Sequence, residues 1–134
     1  MTTFIDTNVL ISLVNDKEIF HKWSVEQLQN CKAKGPVIVS DIVYCEFSTG
    51  MSSKDDVDTI ITGFDLERFR APDAALFRAA KAFKDYKETN KGPKTGVLPD
   101  FLIGATAVTM QASLLTANSK DFIGYFPDLK IIAP

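Results

Sequence analysis

A chain of 134 residues with 46% apolar and 24% charged residues has the make-up of one folded domain. That excludes a disordered chain, a collagen-like repeat and a coiled coil. Fifteen Lys and Arg against 17 Asp and Glu leave a formal charge of −2, which on its face argues against a nucleic-acid binder.

The first elements alternate between two periods. Residues 3–6 read as a short strand around Phe4 and Ile5, and residues 8–14 switch to helical spacing through Leu10, Leu13 and Val14. A second helix fits residues 17–31, with Ile19, Trp23 and Gln27 in line, and Gly35-Pro36 breaks the chain. The β-branched run Val37-Ile38-Val39 is typical of a strand buried on both faces. Ser40 is placed to cap a helix over residues 41–49. Residues 52–63 form a polar surface helix, and a short strand falls within 64–70. Pro72 and Asp73 open a helix to about Glu88, with Leu76, Ala79, Ala80 and Phe83 as its buried stripe. Residues 90–98 read as a loop. Pro99-Asp100 opens a central helix to Gln111 that is apolar nearly all round, and strands follow at 113–116 and 130–132. Strands separated by helices predict an α/β domain over 1–134 with a largely parallel sheet, whose ligands bind beyond the carboxyl ends of the strands.

Cys31 and Cys45 show no CxxC spacing and read as two buried thiols. His21 is the single histidine, which excludes a His-rich zinc site. No basic leader precedes the first strand, and the apolar stretch at 101–110 is far short of the ~20 residues of a membrane span. A soluble cytoplasmic protein with no membrane contact is the expectation.

The acids are unevenly placed. Asp6 ends the first strand, Glu46 shares a helix face with Ile42 and Val43, Asp100 begins the central helix, and Asp121 follows the fourth strand. Taken singly, Asp6 and Asp100 fit as helix caps, Glu46 as the edge of its face and Asp121 as a turn residue. Taken together, carboxylates gathered at one end of a sheet repel one another and call for a cation. No Lys or Arg adjoins Asp6, Glu46 or Asp100 in sequence. Mg²⁺ or Mn²⁺, which take oxygen ligands and retain waters, suit such a set.

The segments Phe4-Ile5-Asp6-Thr7-Asn8-Val9-Leu10, Val43-Tyr44-Cys45-Glu46-Phe47, Pro99-Asp100 through Ala107, and Leu115-Thr116-Ala117-Asn118 through Asp121-Phe122 resemble, in order and spacing, the PIN domain. Within that family the chain looks like the VapC-type ribonuclease toxins of toxin–antitoxin systems. The resemblance implies a three-layer sandwich with a five-stranded parallel sheet in the order 3-2-1-4-5. It implies an Mg²⁺- or Mn²⁺-dependent endoribonuclease that leaves a 5′-phosphate and a 3′-hydroxyl. Asp6, Glu46 and Asp100 match the family's best-kept acidic positions. Many members carry an acid where this chain has Asn118, so either Asn118 or Asp121 fills the fourth role. Thr7, Asn8, Thr116 and Asn118 are candidates to orient the carboxylates. A homodimer and a VapB-like antitoxin, seated near the early helices, are also implied.

The charge distribution qualifies the overall −2. Residues 68–94 hold eight basic and three acidic residues, and this stretch runs into Asp100. Lys84, Lys87, Lys91 and Lys94 are therefore candidates for RNA contact, against the alternative of a solvated helix face with Lys81–Asp85 and Lys84–Glu88 pairs. Two other readings compete: a non-toxin RNA-processing nuclease, and a non-catalytic scaffold that binds RNA or a partner. A phosphorylated receiver domain fails, because Asp6 lacks an adjacent acid.

Overall fold

The computed structural model describes residues 1–89 and 97–134. Lys91 and Lys94 lie outside the described residues. Five strands, β1 (Thr3–Ile5), β2 (Val37–Ser40), β3 (Glu67–Phe69), β4 (Ser113–Leu115) and β5 (Lys130–Ile132), form one parallel sheet in the order β3-β2-β1-β4-β5. The helices are α1 (Thr7–Val14), α2 (His21–Lys34), α3 (Asp41–Ser48), α4 (Lys54–Gly63), α5 (Asp73–Thr89), α6 (Val97–Thr109) and α7 (Lys120–Ile123). The expected strand order holds. Among the described residues, no helix is long and apolar enough to cross a membrane.

The central strands are covered on both faces. Phe4, Ile5, Val37, Val39, Leu114 and Leu115 are all almost fully buried, so apolar residues occupy successive positions rather than alternate ones. Strand order reverses around β1: β2 lies on one side and β4 on the other. The crevice at the carboxyl ends of β1 and β4 is thus the switch point where such sheets bind ligands.

α6 is the central helix its composition predicts, with Phe101, Ile103, Ala105 and Ala107 buried. It starts at Val97, two residues before Pro99, so residues 97 and 98 are helical rather than loop, and residues 90–96 of the expected loop lie outside the described residues. Gly104 is fixed by a close approach: a Cβ there would lie 2.6 Å from the Phe126 ring. Fully buried Phe101 is ringed edge-to-face by Phe83, Tyr86, Tyr125 and Phe126, with centroids 5.0–6.2 Å away.

Several local expectations change. The α5 stripe is rotated: Ala75, Ala79 and Ala82 are buried, Phe83 is half-buried, and Leu76 and Ala80 are exposed. Small alanines face in because α5 packs closely along α6. α2 begins at His21 rather than Lys17 and buries Ser24, Leu28 and Cys31, leaving Ile19 88% exposed. Ser40 precedes α3 but its hydroxyl makes no cap; the buried Oγ has no hydrogen-bond partner. Cys31 is buried as expected, whereas Cys45 is exposed on α3.

Candidate active site

Strand register fixes the first two groups. Ile5 pairs with Leu115, and the Asp6 amide donates to the Leu115 carbonyl at 2.9 Å. Asp6 and Thr116 are therefore the first residues past adjacent strands. The Thr116 hydroxyl donates to Asp6 Oδ2 at 2.7 Å, while the Thr7 amide donates to Asp6 Oδ1 at 2.7 Å. Asp6 thus caps α1, and its carboxyl is also held against β4.

Glu46 enters from α3, which packs against α1. It is half-buried, and its Oε1 accepts the Thr7 hydroxyl at 2.8 Å. Thr7 consequently spans both carboxylates: its amide holds Asp6 and its hydroxyl holds Glu46. Asn8 ties α1 to the segment after β4. Its Oδ1 accepts the Ala117 amide at 3.1 Å, and its Nδ2 lies 3.5 Å from Thr116 Oγ1. Thr116 Oγ1 also accepts the Asn118 amide at 3.0 Å. Asn118 Nδ2 donates to Asp121 Oδ2 at 2.9 Å, so Asn118 orients an acid in the first turn of α7. Sequence reading missed α7, a helix of four residues too short to show a period. Asp100 is half-buried in the first turn of α6, and α6 packs across α3, which carries Glu46.

Asp6 is 5% exposed. Burial pushes its carboxyl above the usual 3.8, the two hydrogen bonds from Thr116 and Thr7 oppose this, and the charges of Glu46 and Asp121 push it further up. Asp6, Glu46 and Asp121 thus share one electrostatic neighbourhood. Among the described residues, no Lys or Arg forms an ion pair with any of the three. The donor chemistry, carboxylate oxygens without a cationic partner, fits a hard divalent cation. The groups are not already gathered: among the described residues no three His, Cys, Asp or Glu side chains lie close enough to hold an ion together.

A stability consequence follows. Below 3.8 Asp6 is protonated in both folded and unfolded chains, and its favourable contribution is complete. As pH rises from 3.8 through the raised folded value, that contribution is lost, because the folded chain must then carry a buried charge near two others. In metal-free buffer, thermal melts of Asp6→Asn across this range are expected to lack that component of the wild-type pH slope. Identical slopes would contradict it.

The basic track is only partly available. Arg68 is engaged: its guanidinium donates to the Val39 carbonyl at 2.8 Å, pairs with Asp41 at 2.9 Å and lies 4.3 Å from the Tyr44 ring centroid. Arg78 approaches Asp128 at 3.9 Å. On α5, Lys84 reaches Glu88 at 3.9 Å, and the Lys87 ammonium lies 5.4 Å from the Phe83 ring centroid. The lysine end of α5 stands beside the start of α6, since Phe83 and Tyr86 both pack on Phe101.

The PIN domain family model matches residues 3–124. A comparison with curated proteins returns no match. Among solved structures, the chain is similar to VapBC2 from Rickettsia felis, bound to a DNA fragment from its promoter, at 19% identity and a TM-score of 0.76, covering 99% of this chain and 98% of that one. A toxin–antitoxin complex from Klebsiella pneumoniae matches at 25% identity and a TM-score of 0.65, covering 97% and 95%. The Sarcin-Ricin loop cleaving toxin VapC20 from Mycobacterium tuberculosis matches at 12% identity and a TM-score of 0.61, covering 89% and 92%. With the family model matching residues 3–124 and the fold shared with these solved structures, the protein belongs to the PIN domain family.

Proposed function

We propose that this protein is an Mg²⁺- or Mn²⁺-dependent endoribonuclease of the VapC toxin type, neutralised by a VapB-like antitoxin. Asp6 carries the reading: a buried carboxylate at the switch point, with its ionisation opposed by two neighbouring acids and no ion pair among the described residues. Ionising such a group costs stability, and its burial and charge suit a bound cation. Asp6, Glu46, Asp100 and Asp121 would hold that cation. When bound, it supplies positive charge against a phosphodiester and an acidified water for its hydrolysis.

The chain's own groups prepare that site. Thr7 and Thr116 fix the rotamer of Asp6 by donating to one oxygen each. Thr7 also sets Glu46, and Asn118 sets Asp121. Asn8 keeps α1 in register with the segment after β4. Lys84 and Lys87 provide positive potential beside α6 for the RNA backbone. Hydrolysis in this class leaves a 5′-phosphate and a 3′-hydroxyl.

Two surfaces suit protein partners. Ile11, Val14, Ile19 and Phe20 are exposed where α1 gives way to α2, an apolar surface for an antitoxin segment. Leu76 and Phe77 on α5 are 44% and 65% exposed and suit a homodimer contact. The test of the function is incubation of the purified protein with single-stranded RNA and Mg²⁺ or Mn²⁺, followed by end mapping. Cleavage to 5′-phosphate ends, abolished by EDTA and by the co-expressed antitoxin, is the expected result. Intact RNA under these conditions, with binding retained, would instead favour a non-catalytic scaffold.

A further inference from the structure

The two ends of the sheet differ in charge. Asp6 and Thr116 leave the carboxyl ends of β1 and β4, whereas Ser113 and Lys130 begin β4 and β5 at the amino ends. Two clefts open at the amino end. One, of about 490 Å³, has Arg78, Gln111, Asp128 and Lys130 in its lining. The other, of about 440 Å³, has Gln27, Asn30, Lys34 and Lys130. Met1 and Lys130 line both, so the clefts adjoin.

Their charge is unbalanced. Lys34 and Lys130 form no ion pair among the described residues. The Lys130 ammonium lies 3.9 Å from the Met1 sulfur, a weak acceptor that leaves its charge uncompensated. Arg78 stands 3.9 Å from Asp128, the one carboxylate among the described residues that line the two clefts. Three cations against one acid leave this face at +2 on a chain of formal charge −2. The amides of Gln27, Asn30 and Gln111 add hydrogen-bond donors and acceptors. Among the described residues no aromatic ring lines either cleft, so nothing here stacks a base. Cations spread along adjoining clefts, with amides and no ring, suit a chain of phosphates and sugars contacted through its backbone rather than a nucleotide held by its base.

We infer that this amino-end face is a second RNA-contact surface, at which Lys34, Lys130 and Arg78 take phosphates of the substrate backbone remote from the cleaved bond. The identity of the ligand as RNA rests on the nuclease reading. β1 and β4 are three residues each, about 10 Å, so both ends of the sheet lie within reach of one RNA strand. A long RNA then gains affinity from both ends of the domain, and a short one from the acid site alone. Phosphate contacts position a strand without reading its sequence, so the preference is for length.

The probe is a fluorescein-labelled oligouridylate long enough to span the domain, titrated in EDTA so that the acid site, without a cation, adds no attraction. Fluorescence anisotropy over a salt series reads both the affinity and its salt slope. Lys34→Gln combined with Lys130→Gln is expected to weaken binding about twentyfold at about 0.1 M salt and to reduce the slope of log K against log salt by about 1.4, as for two lost single-strand phosphate contacts. Asp128→Asn, which removes the opposing acid, is expected to tighten binding. Lys22→Gln is the control: it removes one charge from the first turn of α2, about 18 Å along the helix from Lys34, and is expected to change little. All of these side chains are exposed, and thermal melts check that each variant folds. With Mg²⁺ present, the double variant is expected to raise KM for the long RNA without lowering kcat, and to cut an oligonucleotide too short to leave the acid site as the wild type does. Affinity and slope unchanged in the folded double variant, or a Lys22→Gln loss equal to that of Lys34→Gln, overturns the surface and leaves the nuclease standing. A protein that binds long RNA through these lysines yet cuts none keeps the surface and loses the nuclease reading.

Discussion

Asp6→Asn is expected to lower metal-dependent RNA cleavage by more than about 100-fold, the upper end of what losing a group that merely supports a ligand costs. The substitution is nearly isosteric. The Asn carbonyl can still accept the Thr7 amide, and the cap on α1 survives. The charge and one oxygen acceptor are lost, and both are what a divalent cation requires. Because the variant no longer buries an ionisable acid near Glu46 and Asp121, it is expected to fold at least as well as the wild type near neutral pH in metal-free buffer. Loss of activity without loss of fold separates a functional group from a cap. Single-turnover cleavage of a labelled RNA, beside a thermal melt, measures both. A folded variant with undiminished cleavage would remove Asp6 from the site.

Phe101→Ala is expected to cost about 3–5 kcal/mol of stability, the usual range for emptying a buried aromatic site. Phe101 has no exposed surface and contacts the rings of Phe83, Tyr86, Tyr125 and Phe126, so four edge-to-face contacts vanish together. These four rings come from α5 and from the segment after α7, so the cavity opens where both meet α6. A drop in Tm on the order of 10–20 °C is the corresponding signal for a domain of this size. Asp100 is the preceding residue, so loss of residual cleavage is expected to exceed what the unfolded fraction explains. Denaturant melts combined with cleavage at a temperature where the variant is folded make that comparison. A destabilisation below about 1 kcal/mol would show that the neighbours close over the gap.

Much of this architecture was legible before any coordinates. The Val37-Ile38-Val39 run and the apolar helix beginning near Pro99 carry their burial in their composition, because a parallel sheet covered on both faces selects continuous apolar runs. Strand order came from resemblance, and the register of Ile5 against Leu115 then joins Asp6 to Thr116. The errors have local physical causes. Leu76 looked like core by size and spacing, yet close packing of α5 on α6 selects Ala75, Ala79 and Ala82 instead. Ser40 occupies a cap position without making the cap, because side-chain orientation is a tertiary property. Arg68 counted toward a basic track, but Asp41, the Val39 carbonyl and the Tyr44 ring engage it.

Candidate site residues can be picked singly from the sequence; the hydrogen bonds that connect them cannot. Thr7, Asn8, Thr116 and Asn118 were named as orienting groups from their positions. The bridging of Asp6 and Glu46 by Thr7 depends on how α1 meets α3, which no spacing encodes. The departure at Asn118 also becomes intelligible: its amide group turns Asp121, three residues on, into a held carboxylate.

The most direct test of a cation-binding site at the carboxyl ends of β1 and β4 is a thermal-shift titration with Mn²⁺ at neutral pH, comparing the wild type with Asp6→Asn. A ligand that binds only the folded chain stabilises it by about 2.7 kcal/mol at 100 times its Kd. The site described above predicts a saturable rise in the wild-type Tm and little or no rise in the variant. Equal shifts in the two proteins, or no shift in a wild-type protein that still cuts RNA, would contradict it.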